Sequence, residues 1–161
     1  MRRRTPALAV VLAVVLLAAC RQAAEADGEG DVDRQQAFVE RYSNIALRGG
    51  ATDSAKAGVQ MDDPDKPSPY RIVGWQQRGP GALTALAVFG AGPLSMPVPV
   101  PVQLDWAGEV PVLRLSEVRI PGIGTYSATW FFHGDRFAGT WQGTGHGGHF
   151  FGDILRPAAA P

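Results

Sequence analysis

TYSATWFFHGDRFAGTWQ, residues 125–142, decides the fold. Gly134-Asp135 sits between two runs of strand-forming residues, and a two-residue Gly-Asp connection is a tight hairpin turn. Counting outward from it sets the register. Phe132 faces Phe137, Trp130 faces Gly139 and Ala128 faces Trp141, an apolar face on which glycine leaves room for an indole. His133 with Arg136, Thr129 with Thr140 and Ser127 with Gln142 form the other face, polar apart from Phe131 and Ala138. A slip of one residue would expose both tryptophans, so the register is well specified.

The same period of two runs back to Tyr70 and on to Leu155, punctuated by glycine and proline, and predicts strands at 70–77, 82–89, 97–105, 110–120, 124–133, 136–142 and 149–155. Pro97, Pro99 and Pro101 alternate with Val98, Val100 and Val102, which puts all three missing amide donors on one edge of a strand. That edge is expected to be free or to be polyproline, which argues against a fully closed barrel unless the segment lies outside it. It also blocks edge-to-edge aggregation. Upstream, Asp33 and Gln36 have capping-box spacing, and Phe38, Tyr42 and Ile45 recur at helical intervals with Val39 and Ala46 beside them. Gly49-Gly50 is the expected stop. Residues 51–69, broken by Pro64, Pro67 and Pro69, read as a long surface loop whose Asp62, Asp63 and Asp65 lack the spacing and final glutamate of a calcium-binding EF-hand. The expected domain, 33–156, is mainly β (α+β): one N-terminal helix packed by its aromatic stripe on a twisted antiparallel sheet, or partly open small barrel, of six to seven strands.

GDRFAGTW, residues 134–141, followed by GGHFFGDI, residues 147–154, resembles the glycine- and aromatic-rich hairpins of calycin-type small barrels. The resemblance covers only this end of the chain. It implies a barrel and, with the four tryptophans, a ligand cavity.

The chain opens MRRRTPALAVVLAVVLLAAC, residues 1–20. Arg2, Arg3 and Arg4 precede an apolar run from Ala7 to Ala19 and small residues before Cys20, the layout of a secretory signal. The run is too short to span a bilayer, which takes roughly twenty apolar residues. Leu17-Ala18-Ala19-Cys20 resembles the lipobox of bacterial lipoproteins. That resemblance implies removal of residues 1–19, a diacylglyceryl group on the Cys20 thiol and a fatty acyl group, such as palmitate, on the new amino terminus. Each buried methylene then contributes about 0.8 kcal/mol to anchoring, and two or three chains fix the protein at the membrane. Arg21, in place of the aspartate that retains lipoproteins at the inner membrane, implies the periplasmic side of the outer membrane where a cell has two. Residues 20–32 read as a lipidated, acidic, disordered tether and residues 157–161 as a disordered tail.

The formal charge of zero becomes −3 once the three signal arginines leave, and no basic cluster follows, so nucleic acid is not an expected partner. With Cys20 committed to lipid, no cysteine remains for nucleophilic, redox or thiolate-metal chemistry. GTGHGG, residues 143–148, matches the spacing of a dinucleotide loop but has a short strand after it, not a helix, and no acidic residue about twenty positions on. There is no G-x-S-x-G elbow. Asp105, Glu109, Glu117 and Asp153 fall at strand ends or on solvent faces, where sequence offers no shifted acid or base. His133, His146 and His149, with Asp135 and Asp153, are the sole set with metal-ligand chemistry, although their spacing fits no zinc motif and Arg136 opposes His133. The expected function is that of a non-enzymatic, membrane-anchored envelope lipoprotein acting through an envelope protein partner, without a cofactor. The alternative is a carrier or sensor of an apolar small molecule; a histidine metal site comes third.

Overall fold

The structure is a computed structural model that describes residues 30–90, 96–120, 122 and 124–156. Cys20, the signal at 1–19, most of the expected tether and the tail at 157–161 lie outside the described residues. The chain divides into two compact units, Met1–Gln36 and Ala37–Pro161. A helix, α1, runs over 30–41 across that boundary. Within the first unit it carries an Arg34–Asp31 ion pair of 3.7 Å, one turn apart. The helix therefore begins inside the last residues assigned to the tether. It also ends earlier than the aromatic period suggests, because Asn44 takes a left-handed conformation at φ 52° and turns the chain. Ile45 and Ala46 thus leave the helical stripe for a strand.

Among the described residues nine strands follow: β1 Ile45–Thr52, β2 Val59–Met61, β3 Tyr70–Gly79, β4 Ala82–Phe89, β5 Val98–Ala107, β6 Val110–Ile120, β7 Gly124–His133, β8 Arg136–Gln142 and β9 Gly147–Leu155. All are antiparallel neighbours in the order β2-β1-β3-β4-β5-β6-β7-β8-β9, and β1 also pairs with β9. Eight strands therefore close into an up-and-down barrel, with β2 added at the far end of β1. The expectation of six to seven strands in a sheet or partly open barrel is corrected in two respects: β1 and β2 come out of segments read as helix and loop, and the barrel closes.

Closure depends on glycine. Gly49 and Gly50, expected to stop the helix, lie inside β1, and Gly49 pairs with Gly152 of β9. A Cβ at Gly49 would collide with the Phe151 carbonyl, and one at Gly152 with the Arg48 carbonyl. Only the absence of side chains lets these two strands approach so closely.

The β7–β8 hairpin has the register counted from sequence, from His133↔Arg136 through Ser127↔Gln142. Its turn places Gly134 at φ 61°, and the β5–β6 turn places Gly108 at φ 62°, as the first central position of a type II′ turn demands. These turns and Pro80-Gly81 between β3 and β4 are two-residue connections at one end of the barrel. The connections at the other end are longer.

The prolines of β5 behave as expected over part of its length. Pro99 and Pro101 stand opposite Leu86 and Thr84 of β4. Alternate residues of a strand address alternate edges, and Leu104 N–H donates to the Gly81 carbonyl at 2.7 Å, so even-numbered residues carry the ladder to β4. Pro99 and Pro101 consequently face β6, whose pairing with β5 runs only from Gln103↔Arg114 to Ala107↔Val110. The edge lacks a β6 partner from Val98 to Val102, yet the barrel closes through the paired half. Beyond Leu115, β6 bulges: Glu117 adopts φ 50° and donates its backbone N–H to Ser127 Oγ at 2.9 Å.

Candidate functional site

Side chains inside the barrel change size along its axis. Near the tight turns they are long: Leu83, Leu113 and Phe132 converge, the last two fully buried at 0% exposure. Phe38, on the last turn of α1, and Tyr42, just beyond it, enter between them. Ring centroids lie 5.2 Å apart for Phe38 and Trp75 and 4.7 Å apart for Tyr42 and Phe132. The polar tips of this plug are satisfied, because Trp75 Nε1–H donates to the Tyr42 carbonyl at 2.9 Å and the Tyr42 hydroxyl donates to the Gly134 carbonyl at 3.2 Å. The aromatic stripe thus has the packing role expected from sequence, with Ile45 contributing to the same core from β1.

Further along, the inward positions shorten to Ala85 and Ala87 on β4, Val100 and Val102 on β5, and Ala128 on β7. An eight-stranded barrel is just wide enough for side chains to fill it, so short ones leave a void. A cavity of about 160 Å³ lies there. An apolar cavity of about 150 Å³ accepts a benzene ring. Trp75, Trp130 and Phe150 supply aromatic wall, and Leu47, Ile72 and Leu115 aliphatic wall. Tyr70 and Phe89, at strand ends, meet edge to face at 6.4 Å. Partial burial, with the Asp62 carboxylate as a lesser cause, pushes the Tyr70 phenol above its ordinary pKa, so it stays protonated at neutral pH. Arg71 is the one charged residue among the described lining. Such walls bind apolar matter by burial.

The three histidines do not converge. His133 ends β7 beside the tight turn, whereas His149 pairs with Thr140 on β8. Arg136, opposite His133, and Thr140 are four steps apart along extended strand, about 13 Å. Their neighbours are instead structural. His146 Nδ1 lies 3.2 Å from Asp53 Oδ1, and its ring stands edge-on to Trp141 at 5.0 Å. Thr52 Oγ1 accepts the His149 backbone N–H at 2.9 Å, and Gly147 N–H donates to Ser54 Oγ at 3.1 Å. These contacts tie the β8–β9 connection to the end of β1. The N–H of Ala55, and then His146, hold the Asp53 carboxyl below its ordinary range. Asp135 pairs with Arg156 and Asp153 with Arg136. Among the described residues no cluster of three His, Cys, Asp or Glu could hold a metal ion.

The outer wall carries an apolar strip. Phe131, Ala138, Phe151, Gly50 and Met61 are successive cross-strand partners from β7 to β2. Phe131, Phe151, Met61 and Val59 are exposed, Met61 by 64%.

The position of the cavity does not follow from the sequence, although its alanines are visible there: Ala82 to Phe89 alternates so that Leu83, Ala85, Ala87 and Phe89 share a face. Compared with protein-family models, curated proteins and solved structures, the chain matches none.

Proposed function

We propose that this chain is a non-enzymatic envelope protein, held at the membrane by lipid on Cys20, whose barrel carries or senses one small apolar molecule. The observation that carries the reading is the void of about 160 Å³ among short inward side chains. A sequence tuned only for stability would fill it, since an empty cavity forfeits contacts. The lipobox-like ending at Cys20 supports the anchor, and Arg21 after it supports the periplasmic side of the outer membrane where the cell has two. Among the described residues no helix is long and apolar enough to cross a membrane.

Burying the seven carbons of toluene at about 0.8 kcal/mol each gives about 5.6 kcal/mol, a Kd of roughly 0.1 mM. Titration with toluene, read by the fluorescence of Trp75 and Trp130 beside the cavity, is expected to saturate in that range. In Ala128→Phe, which fills the void, the response is lost. Full-length protein unresponsive to a panel of aromatic and lipid ligands would end this reading. The exposed strip of Phe131, Phe151, Met61 and Val59 favours a second reading, a surface for an envelope protein partner. Photocrosslinking from position 131 in native membranes would capture one specific partner; a clean negative removes that reading.

A further inference from the structure

Both lips of the unpaired stretch between β5 and β6 also line the cavity. Val100 and Val102 stand on one side, Leu115 and Ile120 on the other. The backbone ladder is therefore interrupted where the void lies behind it. Two backbone features keep it so. Pro99 and Pro101 have no N–H to offer β6, and the bulge at Glu117, fixed through Ser127, interrupts the regular run of β6 just past the last paired residue. The inward side chains along the gap are aliphatic and mostly β-branched, with Val98 and Val118 continuing the series, while Ser116, Glu117 and Arg119 are exposed.

We infer that the cavity is loaded sideways through this seam by a single unbranched alkyl chain. The chain's end fills the cavity and its remainder lies between the valine lip of β5 and the aliphatic lip of β6. This rests on the cavity reading and goes beyond it. A void of about 160 Å³ holds about a ring's worth of carbon, so a ligand confined to it would gain nothing from further length. A rod that leaves through an apolar gap keeps burying methylenes, each worth up to about fourfold in affinity. The alternation of proline and valine suits such loading, because the prolines prevent zipping at the edge while the valines coat the inside.

The test uses dodecanoic acid carrying a diazirine at mid-chain, with full-length protein. Photolabelling is expected on residues 98–102 and 115–120; labelling confined to residues 143–149 at the barrel end overturns the seam. A second measurement follows loading by tryptophan quenching with terminally brominated dodecanoic acid. In Pro99→Thr with Pro101→Thr, which restores two donors facing β6, loading is expected to slow at least tenfold while toluene affinity stays unchanged. Equal loading rates overturn the proposal. Failure of toluene to bind the parent protein would instead remove the cavity reading itself. The same photoreactive chain presented in phosphatidylcholine vesicles, against the free acid, tells a membrane source from a soluble one.

Discussion

The barrel wall has two junctions built on opposite principles. At β1–β9, glycines at 49 and 152 remove side chains so that the backbones can pair across six positions, from Ala46↔Leu155 to Ala51↔Phe150. At β5–β6, prolines at 99 and 101 remove donors, so pairing stops at Gln103↔Arg114. One junction is made tight by what the residues lack beyond Cα; the other is held apart by what they lack at nitrogen. Strand closure is thus a local choice made residue by residue and not a property of the barrel as a whole.

The largest effect should come from breaking the tight junction. Gly152→Val drives a side chain into the Arg48 carbonyl and is expected to cost about 3 kcal/mol or more, measured as the urea midpoint at constant m-value. A loss below about 1 kcal/mol would mean the junction is not tight. Next is the anchor of the β6 bulge. Ser127→Ala removes the acceptor for Glu117 N–H and should cost about 1 kcal/mol, with faster hydrogen exchange confined to β6 beyond Leu115. Exchange that rises equally in β9 would contradict the separation of the two junctions. Pro99→Thr with Pro101→Thr should change stability by only about 0.5 kcal/mol, since the loose junction bears little of the fold. The smallest effect concerns Asp53, which links the end of β1 to His146. Because its carboxyl is held below the ordinary value, its contribution is present above the normal carboxylate range, near pH ~4, and is lost as pH falls through the lowered value. Asp53→Asn should lower Tm slightly at pH 7, with the deficit shrinking as pH falls below about 4; a deficit that does not change in acid would assign the effect to packing.

Local features are legible in the sequence. The strands from β3 to β9 follow from a period of two, and the β7–β8 register follows from one turn, because both depend on neighbours a few residues away. β1 is hidden because Ile45 fits the helical interval from Phe38 and Tyr42 as well as it fits alternation with Leu47; Asn44, at a left-handed φ, decides between them. Closure is hidden because it rests on Gly49 meeting Gly152, a pairing that no local pattern announces. The proline edge is legible but does not forbid closure, since an edge can be free over half its length. The cavity requires knowing that Ala87, Val100 and Ala128 reach the same level, which the stagger of eight strands sets. His133 is far from His149 because an extended strand carries neighbours apart faster than a helix does.

The pairing of the first barrel strand with the last also orders events in time. A chain made amino terminus first presents β1 long before β9 exists, and its open edge must wait for a partner made at the end of synthesis. Pairings so distant along the chain form late and slowly. The glycine-rich β1 is a weak strand on its own, which makes it a poor template for stray chains during that wait. The residues that allow the final fit thus also make the interval before it safer.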